Sequence, residues 1–182
     1  MIKKFPIILV AVIGLSSCAS WYDVKVDQPA AYHAPTQIDN NYNIDGRFTI
    51  RTASKDYYGN FNWQHESAND VLAFMSPLGS TVAKIVVESG VATLTTDNDE
   101  SYSGSDLDQM MNKQLGFSLP LQYLHYWIQG IPLPNYPVSD RLSSGFEQLD
   151  WKIEYLRWQD SNHPQIVQVS KADLRIKLLI NW

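Results

Sequence analysis

The residues able to do chemistry are few and scattered. Four histidines, His33, His65, His125 and His163, stand far apart, and no two share the one-turn helical spacing that lets paired imidazoles hold a metal ion. The acid pairs Asp97/Asp99 and Asp106/Asp108 resemble paired catalytic carboxylates. The first lies in a polar loop stretch and the second at a helix start, where solvation and capping account for them. No Gly-x-Ser-x-Gly elbow, phosphate-binding loop or dinucleotide fingerprint occurs. The chain therefore reads as a non-enzyme with no cofactor and no metal, although a constellation built from distant residues would leave no motif. One nucleophile has distinctive surroundings: Cys18, the only cysteine. A lone thiol in an exported chain has no internal disulfide to form.

Lys3 and Lys4 precede an apolar run of eleven residues, Phe5 to Leu15, which ends in Leu15-Ser16-Ser17-Cys18. The run is too short to span a bilayer, which takes about 20 residues, and has the layout of a secretory signal peptide. Its ending resembles the bacterial lipobox. That resemblance implies cleavage before Cys18 and acylation of its sulfur and new amine; an ordinary signal peptide with an incidental cysteine is the alternative. Position 19 is Ala rather than the Asp that marks inner-membrane retention in such lipoproteins. The implied location is the outer membrane, lipid-anchored, facing the periplasm. Removing residues 1–17 takes away two lysines and no acids, leaving 165 residues with 12 basic and 19 acidic groups, a formal charge of −7. That balance argues against nucleic acid and against electrostatic attachment to anionic lipid. The expected organisation is a signal peptide over 1–17, a lipidated tether over 18–40, and one monomeric domain over 41–182.

The elements of that domain show in the alternation. From Ile44 to Arg51 the even positions are apolar or small and the odd ones polar, as in a half-buried strand. Asn60 to Gln64 repeats the pattern, as do both flanks of Pro77, then Val91 to Thr95, Leu149 to Tyr155, Ile166 to Val169 and Leu174 to Ile180. The connections are too short for parallel crossovers, so the sheet is antiparallel with one wet face. The middle breaks the rhythm. Ser105-Asp106 caps a helix carrying Leu107, Met110, Met111 and Leu115 on one stripe and ending at Gly116. A second helix starts near Pro120, presents Leu121, Leu124, Trp127 and Ile128, and stops at Gly130. These two helices are what is available to cover the apolar face. The fold class is mainly β (α+β), a strongly curved antiparallel sheet or half barrel with helices over its open side.

One residue contradicts its setting. In Ser76-Pro77-Leu78-Gly79-Ser80, between two strands, Pro77 and Gly79 are turn formers, and the residue between them faces water at a hairpin tip. It is a leucine. Either Leu78 folds back as core or it is presented outward for use.

The lipobox, Gly-Arg-Phe-x-Ile-Arg (46–51), Phe-x-Trp (61–63), Ser-Pro-Leu-Gly-Ser-Thr (76–81), Trp127-Ile-Gln-Gly-Ile-Pro132, and Arg175-Ile-Lys-Leu178 with a terminal Trp182 together resemble the LolB family. The resemblance runs from about Tyr42 to Trp182. It implies a half barrel with a helical lid over an apolar cavity. It also implies a role in taking lipoproteins from the periplasmic carrier LolA and inserting them into the outer membrane without covalent chemistry. By the same resemblance Cys18 is the lipid attachment, and Pro77, Leu78 and Gly79 form the membrane-insertion loop. Phe48, Ile50, Phe61, Trp63, Trp127, Trp151, Ile153 and Leu178 are candidates to line an acyl cavity; alternation marks their face as inner, which suits plain core equally. Two rivals stay open. A structural or assembly lipoprotein binding a partner through its sheet predicts a filled core. An anchored hydrolase predicts a polar cleft.

Overall fold

A computed structural model describes residues 29–182. The signal peptide, Cys18 and the first part of the tether lie outside the described residues. The chain forms β1 (Asn41–Arg51), β2 (Asp56–Glu66), β3 (Asn69–Met75), β4 (Thr81–Glu88), β5 (Val91–Thr96), β6 (Ser101–Gly104), α1 (Leu107–Leu115), α2 (Leu121–Trp127), β7 (Asp140–Leu142), β8 (Gly145–Gln148), β9 (Trp151–Trp158), β10 (Pro164–Lys171) and β11 (Leu174–Asn181). The eleven strands make a single antiparallel sheet in the order β6-β5-β4-β3-β2-β1-β11-β10-β9-β8-β7. Every neighbour is sequential except β1 and β11, which bring the two ends of the domain together at mid-sheet. The edges β6 and β7 do not pair, so the barrel stays open. The two helices, which lie between these edge strands in the chain, cover the concave face.

Period-two alternation appears in the burial itself. In β1, Ile44, Gly46, Phe48 and Ile50 are buried while their neighbours are not, and β2 does the same with Phe61, Trp63 and His65. Two glycines allow the strands to close up. Gly46 faces Phe61 and Gly59 faces Phe48 across the β1–β2 ladder. A Cβ on Gly46 would lie 1.9 Å from the Leu179 carbonyl oxygen, and one on Gly59 would lie 2.1 Å from that of Met75. Each aromatic ring occupies the space its opposing glycine leaves.

Three strands, β6, β7 and β8, fall outside the sequence expectation. They are three or four residues long, too short to display a period. Leu149, expected in a strand with Trp151, instead sits with Asp150 in the two-residue turn joining β8 to β9, at φ of 54° and 62°. Its apparent alternation comes from packing half-buried against the core from the turn. The helix signals agree with the structure. Asp106 accepts from the Gln109 N–H as the N-cap of α1, and Gly116 ends it at φ 79°. Of the expected tether, residues 29–40 contain no helix and run along the domain. The Ala30 and Tyr32 N–H groups bond to the Leu156 and Ser143 carbonyls, and the Tyr32 ring stacks on Tyr155 at 5.3 Å.

Candidate functional site

The concave face and the lid enclose an apolar interior. Phe48, Ile50, Phe61, Trp63 and Leu178 from the sheet meet Leu119, Leu121 and Leu124 from the lid around a void of about 20 Å³. That holds roughly one water, so the interior is closed in this structure. The other three candidate lining residues lie elsewhere in the same core. Trp127 and Ile153 are fully buried, and Trp151 packs against Trp127 at 6.0 Å between ring centroids. A hollow of about 500 Å³ lies in a different place, and its walls are mixed: Asp70, Asp106, Asp108 and Gln122 stand beside Val87, Ala92, Leu107 and Leu121.

The lid is fastened unevenly. Around α2 the bonds are buried and polar. The Gln148 Oε1 accepts from the Trp127 indole N–H at 3.1 Å and from the Leu133 N–H at 2.8 Å. Its amide donates to the Leu133 and Tyr136 carbonyls, and the Tyr155 hydroxyl donates to the Trp127 carbonyl at 2.8 Å. Gln148 is wholly buried and fully used, as a buried amide must be. Helix α1 instead lies on the short strands β5 and β6. Its C-terminal turn is held to the sheet by the Tyr57 hydroxyl donating to the Leu115 carbonyl at 3.0 Å, with the Tyr57 and Phe117 rings 4.9 Å apart.

Two distant histidines meet at one end of the barrel. The His65 and His125 rings stack at 4.0 Å, and Tyr42 lies against both. The Asp70 carboxylate accepts from the His65 Nδ1–H at 2.8 Å and from the Trp63 indole N–H at 2.7 Å. The His65 Nε2 is buried with no hydrogen-bond partner among the described residues. Burial, reinforced by His65, lowers the pKa of His125 to about 4 despite the opposing field of Asp70. Sequence reading missed this cluster: the β1–β2–β3 register and the docking of α2 bring the residues together, and no local spacing carries that information. It missed Gln148, Tyr57 and Phe117 for the same reason.

The opposite end carries the turn between β3 and β4. The Gly79 N–H bonds to the Ser76 carbonyl at 2.9 Å and the Ser76 N–H to the Ser80 carbonyl at 2.8 Å, a tight tip with Gly79 at φ 91°. Pro77 and Gly79 hold the leucine between them clear of the sheet: Leu78 is 95% exposed. A groove of about 240 Å³ opens beside the hairpin.

The chain is similar in sequence to known proteins over most of its length. Residues 40–182 match the family model described as outer membrane lipoprotein LolB. An outer-membrane lipoprotein LolB of Chromobacterium violaceum is 30% identical, covering 100% of this chain and 99% of its own. One of Azoarcus sp. is 28% identical over 98% and 95% of the two chains. One of Coxiella burnetii is 29% identical over 84% and 80%. With residues 40–182 matched by the family model and a 30% identical relative covered almost end to end, the chain belongs to the LolB family of outer-membrane lipoproteins.

Proposed function

We propose that this protein, anchored through Cys18 to the periplasmic face of the outer membrane, accepts lipoproteins from the carrier LolA and inserts them into that membrane. The observation that carries the reading is the pairing of an apolar, lidded interior with a leucine presented to solvent at one end of the same barrel. Burying a methylene from water yields about 0.8 kcal/mol. A chain passing from one apolar cavity to another changes its hydration little. Direction is therefore set by the difference in fit between the two cavities. No bond is made or broken. The interior must expand from its closed state to admit a chain, and Phe48, Ile50, Phe61, Trp63, Trp127, Trp151, Ile153 and Leu178 are the proposed walls. Leu78 then acts at the bilayer: embedding one leucine recovers about 1.5–3 kcal/mol, enough to assist a tethered domain and too little to anchor one.

The test is cross-linking of carrier-bound lipoprotein to this protein, followed by a chase into liposomes. Adducts that form and then disappear into vesicles are the expected result. A second reading, an assembly lipoprotein that binds a partner through its sheet, draws on the near-filled interior. It predicts no acyl adduct at all.

A further inference from the structure

The groove beside the hairpin and the closed interior share two walls, Phe48 and Phe74. Their rings meet edge to face, with centroids 5.3 Å apart and planes at 84°. Both residues are nearly buried. Outside this pair lies the space of about 240 Å³, bounded by Tyr57, Met75, Val82, Leu115 and Phe117. Inside it lies the void of about 20 Å³. The Phe48–Phe74 contact therefore stands between an open apolar groove and a closed apolar core.

The surroundings identify what would enter. The groove wall is apolar except at Asp56 and the Tyr hydroxyls, and Asp56 is ion-paired with Arg51 at 3.5 Å. A charged or sugar-like ligand finds few partners there. A saturated acyl chain needs none. Val82, 43% exposed on the groove wall, continues the apolar surface toward Leu78 at the adjoining hairpin tip. The lid over the groove is the C-terminal end of α1, held by the Tyr57–Leu115 hydrogen bond and joined to the buried Phe117 through Gly116. The end carrying the stacked histidines also has a hollow, but Asp70, Asp106, Asp108 and Gln122 stand in its walls, and Tyr42, His65, His125 and Trp182 pack their rings beside it.

We propose that this groove is the acyl-chain portal, that the Phe48–Phe74 pair is its gate, and that the Tyr57 hydroxyl latches α1 over it. The portal rests on the acyl-transfer reading. It adds that chains enter and leave beside Leu78, so receipt and membrane delivery use one opening.

The test uses the mature, lipidated protein and radiolabelled palmitate. A photo-cross-linking residue replaces Val82 at the portal or Val91, which is 51% exposed at the far end of the sheet. Quenching of tryptophan emission reports arrival in the interior. Adduct at position 82 should exceed that at 91 by about tenfold, a difference of about 1.4 kcal/mol in local occupancy. Tyr57→Phe should raise the rate of tryptophan quenching about two- to tenfold, the range equivalent to one net hydrogen bond. Normal quenching with equal labelling at 82 and 91 would overturn the portal and leave the transfer reading intact. An unchanged rate in Tyr57→Phe would overturn the latch. Absence of palmitate binding in the unmodified protein would remove the acyl-transfer reading and the portal with it.

Discussion

The two ends of the barrel are built from the same strands and finished in opposite ways. At one end, β1, β2, β3 and α2 contribute Tyr42, Trp63, His65, Asp70 and His125, joined by stacked rings and hydrogen bonds beside a hollow with acidic walls. At the other, the same three strands end in Phe48, Tyr57 and Met75 around an open apolar groove, with Leu78 beyond it. Buried polar bonds are directional, and leaving one unmade costs about 1–3 kcal/mol. Apolar contacts lack direction and can re-form around a guest. An interior that must open needs one rigid end and one adaptable end, and the distribution of polar bonds decides which is which. The lid repeats the contrast, with α2 fixed by the buried polar bonds of Gln148 and Tyr155, and α1 by the Tyr57 hydroxyl and the apolar burial of Met111.

If that contrast is right, the largest loss of stability comes from the fixed side. Gln148→Leu strands the Trp127 indole N–H, the Leu133 N–H and two carbonyls in a buried place. It should lower the unfolding free energy by about 3–5 kcal/mol, measurable by urea titration. A loss below about 1 kcal/mol would mean that α2 is held chiefly by apolar packing, and the contrast between the helices would fail.

A smaller effect belongs to the stacked histidines. The unfolded chain takes up a proton on His125 below about pH 6.5, whereas the folded chain resists until about pH 4. Protons thus favour the unfolded state in that window, and stability should fall as pH drops from 6.5 to 4. Allowing for solvent screening of a half-buried ring, the loss is about 1 kcal/mol. Comparing melting curves of the unmodified protein and His125→Phe across that range isolates it: the variant should lose this part of the slope. An identical slope in both would place the titration elsewhere.

How much of this was legible depends on the length scale of each feature. The alternation in β1 and β11 runs over eight residues or more and shows the inner face directly. Asp106 and Gly116 are local signals, and both ends of α1 fall where they point. The strands β6, β7 and β8 are too short for a period, and Leu149 imitates one from a turn. His65 and His125 meet only because α2 docks over β2, a tertiary event with no trace in local spacing. The closed state of the interior was hidden for a different reason. Alternation says which side chains face inward and is silent on whether they touch. The hairpin tip was readable because two turn formers flank an apolar residue, a conflict visible within three positions.

That tip gives the smallest expected change in stability and the sharpest change in function. Leu78→Glu should shift the unfolding free energy by no more than about 0.5 kcal/mol, because an exposed side chain has few contacts to lose, whereas truncating a buried leucine costs about 2–5 kcal/mol. Measured on the mature, lipidated protein, the variant should accept lipoprotein from the carrier at the normal rate. It should then fail to pass it to liposomes, since a carboxylate at the tip resists entry into hydrocarbon. Leu78→Phe should restore delivery. The decisive measurement sets three numbers for Leu78→Glu side by side: melting temperature, acceptance rate and delivery rate. Unchanged melting and acceptance with delivery lost is the predicted result; normal delivery from a normally folded variant would contradict the account.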